Sequence, residues 1–80
     1  MTEEEEYFAD EIKRVRGLDF PRLGMKVEAL GAIGKIVGLN HSANLSIQFE
    51  EGGIKYSCHP TYRMKYFDEN DNLIADYTNN

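Results

Sequence analysis

The spacing of apolar residues changes once along this chain, close to residue 20. Before that point Phe8, Ile12 and Val15 recur at intervals of four and three residues, which places them on one side of a helix. After Pro21, apolar and polar residues alternate instead, most regularly over 45–50, and alternation is typical of a strand with one face in water. This single change of period predicts a short helix in front of a β structure.

The predicted helix covers residues 3–16 of an acidic amphipathic segment, 1–18. Thr2 and Glu5 fit a capping box, in which each side chain accepts a hydrogen bond from a backbone N–H of the other residue. Glutamates fill the first turn and basic residues the last, as the helix dipole favours, and Gly17 is a natural C-terminal stop. Because one narrow apolar stripe does not hold a helix together in water, we expect the helix to dock on the β structure or on a partner.

The alternating part of the chain predicts five short strands, over 25–29, 33–39, 45–50, 54–59 and 62–67. Residues 73–77 fit either a short last strand or a tail, and 78–80 fit a frayed end. Gly34 and Gly38 lie inside the second strand, where glycine marks a bulge or a sharp bend. Short strands joined by tight turns and glycine bends indicate a small antiparallel barrel.

The barrel is expected to occupy residues 19–77, with its core on the apolar side of the alternation. One turn at 59–61 separates the last two long strands, an order that resembles the SH3-like arrangement. The predicted fold is therefore mainly β, a small SH3-like antiparallel barrel of about five strands with an N-terminal α-helix. The expected core residues are Val27, Ile36, Leu45, Ile47, Phe49, Ile54, Tyr56, Met64 and Tyr66.

Glycine spacing in the middle of the chain resembles that of small-barrel modules. The rhythm Gly31-x-x-Gly34-x-Ile36-x-Gly38 is KOW-like, and residues 24–67, a little over half of the chain, are similar to the superfamily of KOW and Tudor-type modules. A second resemblance, to short SH3-like proteins of bacteriophages, rests on the stretch 45–53 and on the motifs Cys58-His59-Pro60 and Tyr66-Phe67-Asp68. Both imply a barrel that binds RNA, DNA, peptides or protein surfaces.

Charge is distributed unevenly along a chain whose net charge is −5. Residues 1–20 hold seven acids and three bases, and residues 68–80 hold four acids and no base. Residues 21–67 hold six bases and three acids. A mildly basic body between two acidic ends favours a protein partner over nucleic acid, because phosphates attract surfaces with many bases.

The cellular location follows from three features. Cys58 is the one cysteine, so no intramolecular disulfide can form, although secreted domains of this size usually carry such bonds. No apolar run approaches the roughly 20 residues of a membrane span. The N-terminus is acidic where a signal peptide is basic. We therefore expect a cytoplasmic protein with no membrane partner.

Candidate chemical groups are few. Cys58 and His59 are neighbours on a strand and point to opposite faces, so we expect a buried thiol, and a histidine that faces solvent or pins the turn. Together with His41 they lack the paired spacing of a zinc site. Residues 68–72 predict a polar turn rather than a calcium loop, since Leu73 stands where that loop needs glycine. No catalytic residue, metal or cofactor is predicted, and we do not expect an enzyme.

These observations predict a non-enzymatic binding module that docks on a host or phage protein, and the second resemblance implies a phage or prophage origin. One concrete form is an inhibitor of a host nucleic-acid-handling enzyme, whose acidic ends imitate phosphate charge. Two surfaces are candidates, a strand that mixes aromatic and basic residues and the apolar stripe of the helix. The predicted binding residues are Tyr62, Arg63, Lys65 and Phe67 on the strand, and Phe8, Ile12 and Val15 on the helix.

Two alternatives remain open at this stage. The first is a KOW-like nucleic-acid-binding domain that uses Lys35, Lys55, Arg63 and Lys65. The second is a structural or assembly subunit whose helix packs against a neighbouring subunit, which includes a homo-oligomer formed through the N-terminal helix. Salt-dependent binding to short RNA or DNA separates the first alternative from the others.

Overall fold

The computed structural model describes residues 2–78, which form one helix and six strands. The elements are α1 (Glu3–Arg16), β1 (Lys26–Ala29), β2 (Ala32–Leu39), β3 (Leu45–Phe49), β4 (Lys55–Cys58), β5 (Met64–Phe67) and β6 (Leu73–Asp76). All six strands pair antiparallel in one sheet with the order β4-β3-β2-β1-β5-β6. In this part of the chain, no helix is long and apolar enough to cross a membrane.

Helix α1 has the ends that the sequence predicts. The backbone N–H of Thr2 donates to Glu5 Oε1 at 2.9 Å, and the backbone N–H of Glu5 donates to Thr2 Oγ1 at 3.2 Å, which completes the capping box. At the other end Gly17 has φ 70°, and its N–H donates to the Lys13 carbonyl at 2.9 Å. Both ends depend only on contacts between near neighbours in sequence, and local contacts of this kind can be inferred from sequence.

The mainly β prediction is confirmed, but the strand number is wrong and the predicted closure is not observed. There are six strands because Leu73–Asp76, for which a strand and a tail were both open, pairs with β5, with Ala75 opposite Tyr66. Strands β4 and β6 stand at the two ends of the sheet order. Within residues 2–78 they do not pair with each other, so the sheet does not close into a barrel.

Two glycines in β2 let the sheet fold tightly. A Cβ at Gly34 would stand 2.7 Å from Ile47 Cγ2 and 2.8 Å from the Gln48 carbonyl oxygen, so β2 approaches β3 too closely for any side chain. The pairing of β2 with β3 shifts register between Ile36 and Gly38, which is the predicted bulge. These two features bend the sheet and turn one face inward.

The inner face of the sheet, the side that carries Val27 and Ile47, forms the hydrophobic core together with the helix. Phe8 and Ile12 of α1 are buried in the same cluster, so the apolar stripe docks on the sheet. Of the nine expected core residues, these six are fully buried: Val27, Ile36, Leu45, Ile47, Met64 and Tyr66.

Three other expected core residues depart from the prediction. Phe49 is half-buried, whereas Ile54 is 52% exposed and Tyr56 is 59% exposed. Tyr56 is opposite Ile47 across the β3–β4 pairing, so its side chain does lie on the inner face. It is exposed because α1 covers another part of that face.

Arg16, the last residue of the helix, fixes the C-terminal end of α1, whereas Phe8 and Ile12 hold its middle on the sheet. The Arg16 guanidinium donates to the carbonyl of Ala43 at 3.2 Å and to Asn44 Oδ1 at 2.8 Å, and Nη1 lies 3.2 Å from His59 Nε2. The helix end is therefore tied to the β2–β3 loop and to the turn after β4, on the side of the sheet away from the β3–β4 hairpin.

The polar turn at 68–72 is confirmed as an Asx-type turn. Asp68 Oδ1 accepts hydrogen bonds from the backbone N–H groups of Asn72 at 2.9 Å and of Asn70 at 2.8 Å, which lower the pKa of the Asp68 carboxyl. In the segment predicted to fray, the Thr78 N–H donates to Asp76 Oδ1 at 2.9 Å. Residues 79 and 80 lie outside the described residues.

Candidate functional site

The four predicted binding residues of the last long strand do not share one surface. Tyr62 and Arg63 lie in the turn before β5, where Tyr62 is 55% exposed and the guanidinium carbon of Arg63 is 5.6 Å from the centre of its ring. Lys65 lies on the outer face, opposite Glu28, and its Nζ is 3.6 Å from Glu28 Oε2. The charge of Lys65 is thus partly compensated within the sheet.

Phe67, the fourth of these residues, belongs to a separate groove of about 480 Å³. Lys26 Nζ is 5.4 Å from the centre of the Phe67 ring and 3.2 Å from Asp71 Oδ1. Acidic residues 68, 69 and 71 and basic residues 22 and 26 line this groove together. Because the charges are mixed and one pair is already formed, the groove favours no ligand class.

The predicted binding stripe of the helix is mostly inaccessible. Phe8 is 2% exposed and Ile12 is 0% exposed, so neither side chain offers a surface to a partner. Val15 is 44% exposed. Of the two roles that the sequence leaves open for the stripe, the structure shows docking on the sheet.

The open corner is the name used below for a groove of about 300 Å³ on the uncovered part of the inner face. The β1–β2 turn and the β3–β4 hairpin build it from opposite sides. Its apolar members include side chains that a compact core would bury, with Leu30 64%, Ile54 52% and Tyr56 59% exposed. The lining residues are Ala29, Leu30, Ala32, Phe49, Glu51, Ile54 and Tyr56.

One wall of the open corner is an aromatic pair. The rings of Phe49 and Tyr56 are 5.9 Å apart between centres and inclined by 62°, an edge-to-face arrangement that fixes both rings. Glu51 stands at the rim of the groove. The wall is therefore a preformed apolar surface with polar groups at its edge, which is typical of a docking site rather than of a reactive centre.

Leu30 forms the opposite wall in an unfavourable conformation. Its φ is 53°, in the left-handed region that a leucine rarely adopts, and its N–H donates to the carbonyl of Arg63 at 3.2 Å. Arg63 itself has φ 50°. This hydrogen bond joins the backbone of Leu30 to the Tyr62–Arg63 turn, although neither Tyr62 nor Arg63 is among the described residues that line the groove.

The sequence pattern predicts Ile54 and Tyr56 as core residues and gives no prediction for Leu30. One signal was present, since a helix with three apolar stripe residues is too narrow to cover the inner face of a whole sheet. The positive φ of Leu30 has no signal in the sequence. It depends on the geometry of the turn between β1 and β2.

Cys58 and His59 occupy the positions predicted for them. Cys58 is 8% exposed among core residues, and burial raises the pKa of its thiol. His59 is exposed and pins the turn, because its Nδ1 accepts a hydrogen bond from the Thr61 N–H at 3.2 Å. Among residues 2–78, no group of three or more His, Cys, Asp or Glu side chains is placed to hold a metal ion.

Comparison of the chain with protein-family models, with curated proteins and with solved structures finds no match.

Proposed function

We propose that this chain is a non-enzymatic binding module that docks on a protein through the open corner. The observation that carries the proposal is the exposure of Leu30, Ile54 and Tyr56 around one groove. Large apolar side chains gathered in this way cost solubility, and they mark interaction surfaces in stable proteins.

The turn before β5 supports a protein partner. Its backbone is bonded to Leu30, and it carries Tyr62 and Arg63, two residue types that are over-represented among those that dominate protein–protein binding energy. The conformation of Leu30 adds to the argument. A leucine that is both exposed and held at a positive φ adds little to the stability of the fold. Positions where the residue type conflicts with its backbone conformation in this way concentrate at functional sites.

The SH3-like classification belongs to the same proposal. Two features support it, the position of β1 between β2 and β5 in the sheet, and the single turn between β4 and β5, in which the Tyr62 N–H donates to the His59 carbonyl at 3.3 Å. Small modules of this kind host many unrelated functions, so the argument for function rests on the open corner and not on the fold.

A leucine-to-asparagine substitution tests the proposal. Leu30→Asn removes the apolar wall and suits the positive φ, because asparagine tolerates the left-handed region. Leu73→Asn is the matched control, since Leu73 is 52% exposed on β6, at the far edge of the sheet. We expect parent and Leu73→Asn to capture the same protein from an extract, and Leu30→Asn to lose it by more than tenfold. Equal capture by all three would contradict the proposal.

A nucleic-acid-binding role is the second candidate, on the opposite face. Lys26 is opposite Lys35, Lys35 is opposite Gln48, and Gln48 is opposite Lys55, which makes one row across four strands. Lys26 is already paired with Asp71, so Lys35 and Lys55 supply the positive charge of the row that a phosphate would meet. Lys35→Glu should then weaken binding to short single-stranded RNA and reduce its salt dependence, with Lys13→Glu on the helix as control.

A further inference from the structure

The outer edge of β4 has free backbone groups. The Phe49 N–H donates to the Ile54 carbonyl at 2.9 Å, and hydrogen-bonded pairs alternate along an antiparallel ladder. Tyr56 therefore points its N–H and C=O toward β3, whereas Lys55 and Ser57 point theirs away from the sheet. Within residues 2–78, these outward groups have no backbone partner.

We propose that two copies of this chain pair antiparallel through β4, about a twofold axis that passes by Tyr56. In this register, Lys55 faces Ser57 of the second copy, and the two residues exchange both of their outward hydrogen bonds. The twofold axis repeats that exchange. Four new hydrogen bonds then join two six-stranded sheets into one sheet of twelve strands.

The side chains of β4 match themselves in this register. Tyr56 meets the second copy's Tyr56 on the inner face, and Ile54 meets the second copy's Cys58, so two exposed apolar residues gain a neighbour on their side away from β3, while the open corner stays accessible. The single charge of the strand, on Lys55, faces a serine hydroxyl instead of another lysine. A register shifted by one residue would instead pair inner-face with outer-face side chains.

Charges beside the strand are complementary as well. The same register brings the β3–β4 hairpin of one copy, which carries Glu50 and Glu51, next to His59 of the other. Arg16 lies there, with its Nη1 3.2 Å from His59 Nε2. Because of the twofold axis, an acidic hairpin faces a basic turn at both ends of the new strand pair.

The other sheet edge does not favour a second copy. Strand β6 is flanked by Asp68, Glu69 and Asp71 and contains Asp76, with no base among residues 68–78. Two copies of this edge would bring like charges together, which natural sheets use to keep edges apart. Strand β4 contains no acid and no proline.

The pairing is compatible with the proposed docking function and does not depend on it. Tyr56 of each copy stands between its own groove and the second copy's Tyr56, so two open corners lie side by side on one face. A partner with two binding segments would then gain avidity from the dimer.

The mass of the full chain by light scattering across a concentration series tests the pairing. We expect the parent to be a dimer. Ser57→Pro should halve the mass, because proline removes an outward N–H that makes no bond within the chain. Ser57→Thr, which keeps the N–H, should stay dimeric. Tyr56→Lys gives a second monomeric variant, since it sets like charges opposite each other at an exposed position. A parent that is monomeric at every concentration overturns the pairing.

Disulfide trapping tests the register. Facing residues in a non-hydrogen-bonded antiparallel pair have Cα atoms about 4.5 Å apart, within the range that a disulfide spans. In a Cys58→Ala background, Tyr56→Cys should form a covalent dimer on mild oxidation, because position 56 faces position 56 of the second copy. Ile54→Cys should not, because position 54 faces position 58 of the second copy and lies far from its position 54. A dimeric parent whose Tyr56→Cys variant resists cross-linking would show that another surface pairs. Loss of partner capture by Leu30→Asn with the dimer intact would separate the two proposals.

Discussion

The covered part of the inner face and the open corner contain the same kinds of side chain in different surroundings. Ile47 is 0% exposed and Ile54 is 52% exposed, and the tyrosines Tyr66 and Tyr56 differ in the same way, at 0% and 59%. The alternation of apolar and polar residues predicts that all four side chains lie on the same face of the sheet. Their difference comes from the parts of the chain that pack on the covered region, among them Phe8 and Ile12 of α1 and Phe20 after it, and that leave the open corner uncovered.

The covered region is also held together by a buried side-chain hydrogen bond and by ring contacts. The Tyr66 hydroxyl donates to the Pro60 carbonyl at 2.6 Å, and burial raises the pKa of that phenol. Phe20 meets the Tyr66 ring edge-to-face with centres 4.9 Å apart. A buried hydroxyl with a partner fixes one arrangement of the core, whereas an exposed tyrosine remains available to another molecule.

The largest expected effect comes from a charge in the covered region. Ile12→Asp buries a carboxylate against the sheet, and we expect a loss of about 5 kcal/mol or more, enough to unfold a domain of this size. Val15→Asp, on the same helix but 44% exposed, should cost less than about 1 kcal/mol. Urea denaturation of both variants measures the difference. If Ile12→Asp unfolds at the parent's midpoint, the helix does not belong to the core.

An isoleucine pair gives the most direct comparison of the two regions. Ile47→Ala should cost about 2–5 kcal/mol, because it leaves a cavity in the core. Ile54→Ala should cost less than about 1 kcal/mol, since half of the side chain is already in water. Both variants are measured by denaturation at a concentration low enough to populate monomers. Equal losses would mean that the open corner is covered in solution.

Local features of this fold were predictable from the sequence, and those that depend on distant contacts were not. The capping box and the Gly17 stop involve neighbours within four residues, and both were predicted. The alternation correctly assigned Tyr56 to the inner face. The alternation could not predict how exposed Tyr56 is, because that exposure depends on which part of the inner face α1 covers. The end of α1 is held by Arg16 through residues 43 and 44, which are far away in sequence.

None of the predicted binding residues lines the open corner. Tyr62 and Arg63 were singled out for mixing an aromatic ring with a base, and their turn reaches the groove only through the backbone hydrogen bond from Leu30 to Arg63. Lys65 and Phe67 were grouped with them because they share a strand, yet they lie away from the groove. Adjacent strand residues face opposite sides, so one strand rarely supplies a whole surface.

Leu30→Asn is expected to change the stability by less than the core substitutions and to raise it instead of lowering it. Its left-handed φ costs a non-glycine residue about 1–2 kcal/mol, and asparagine bears that conformation with less strain. Leu30→Asn should therefore raise stability by about 0.5–1 kcal/mol, which corresponds to a few degrees in the melting temperature of a domain this small. Leu30→Ala removes the same apolar wall but keeps the strain, so it should bring no gain. A destabilised Leu30→Asn would show that Leu30 supports the fold.

The smallest expected effect concerns the capping box, far from the open corner. Hydrogen bonds from the Thr2 backbone and side chain lower the pKa of the Glu5 carboxyl below its ordinary value of 4.5. When the pKa of a carboxyl is lower in the folded protein than in the unfolded one, the ionised carboxyl stabilises the fold at any pH above the unfolded pKa. This stabilisation is lost as the pH falls through the folded pKa.

Glu5→Gln keeps the capping geometry, because glutamine also accepts a hydrogen bond from the Thr2 N–H, but glutamine does not titrate in this range. Melting temperatures of parent and Glu5→Gln should therefore be nearly equal at neutral pH, with the parent slightly favoured by the helix dipole. Between pH 5 and pH 3, the parent should lose slightly more stability than the variant. Parallel pH profiles for the parent and Glu5→Gln would contradict a capping role for the Glu5 carboxylate in solution.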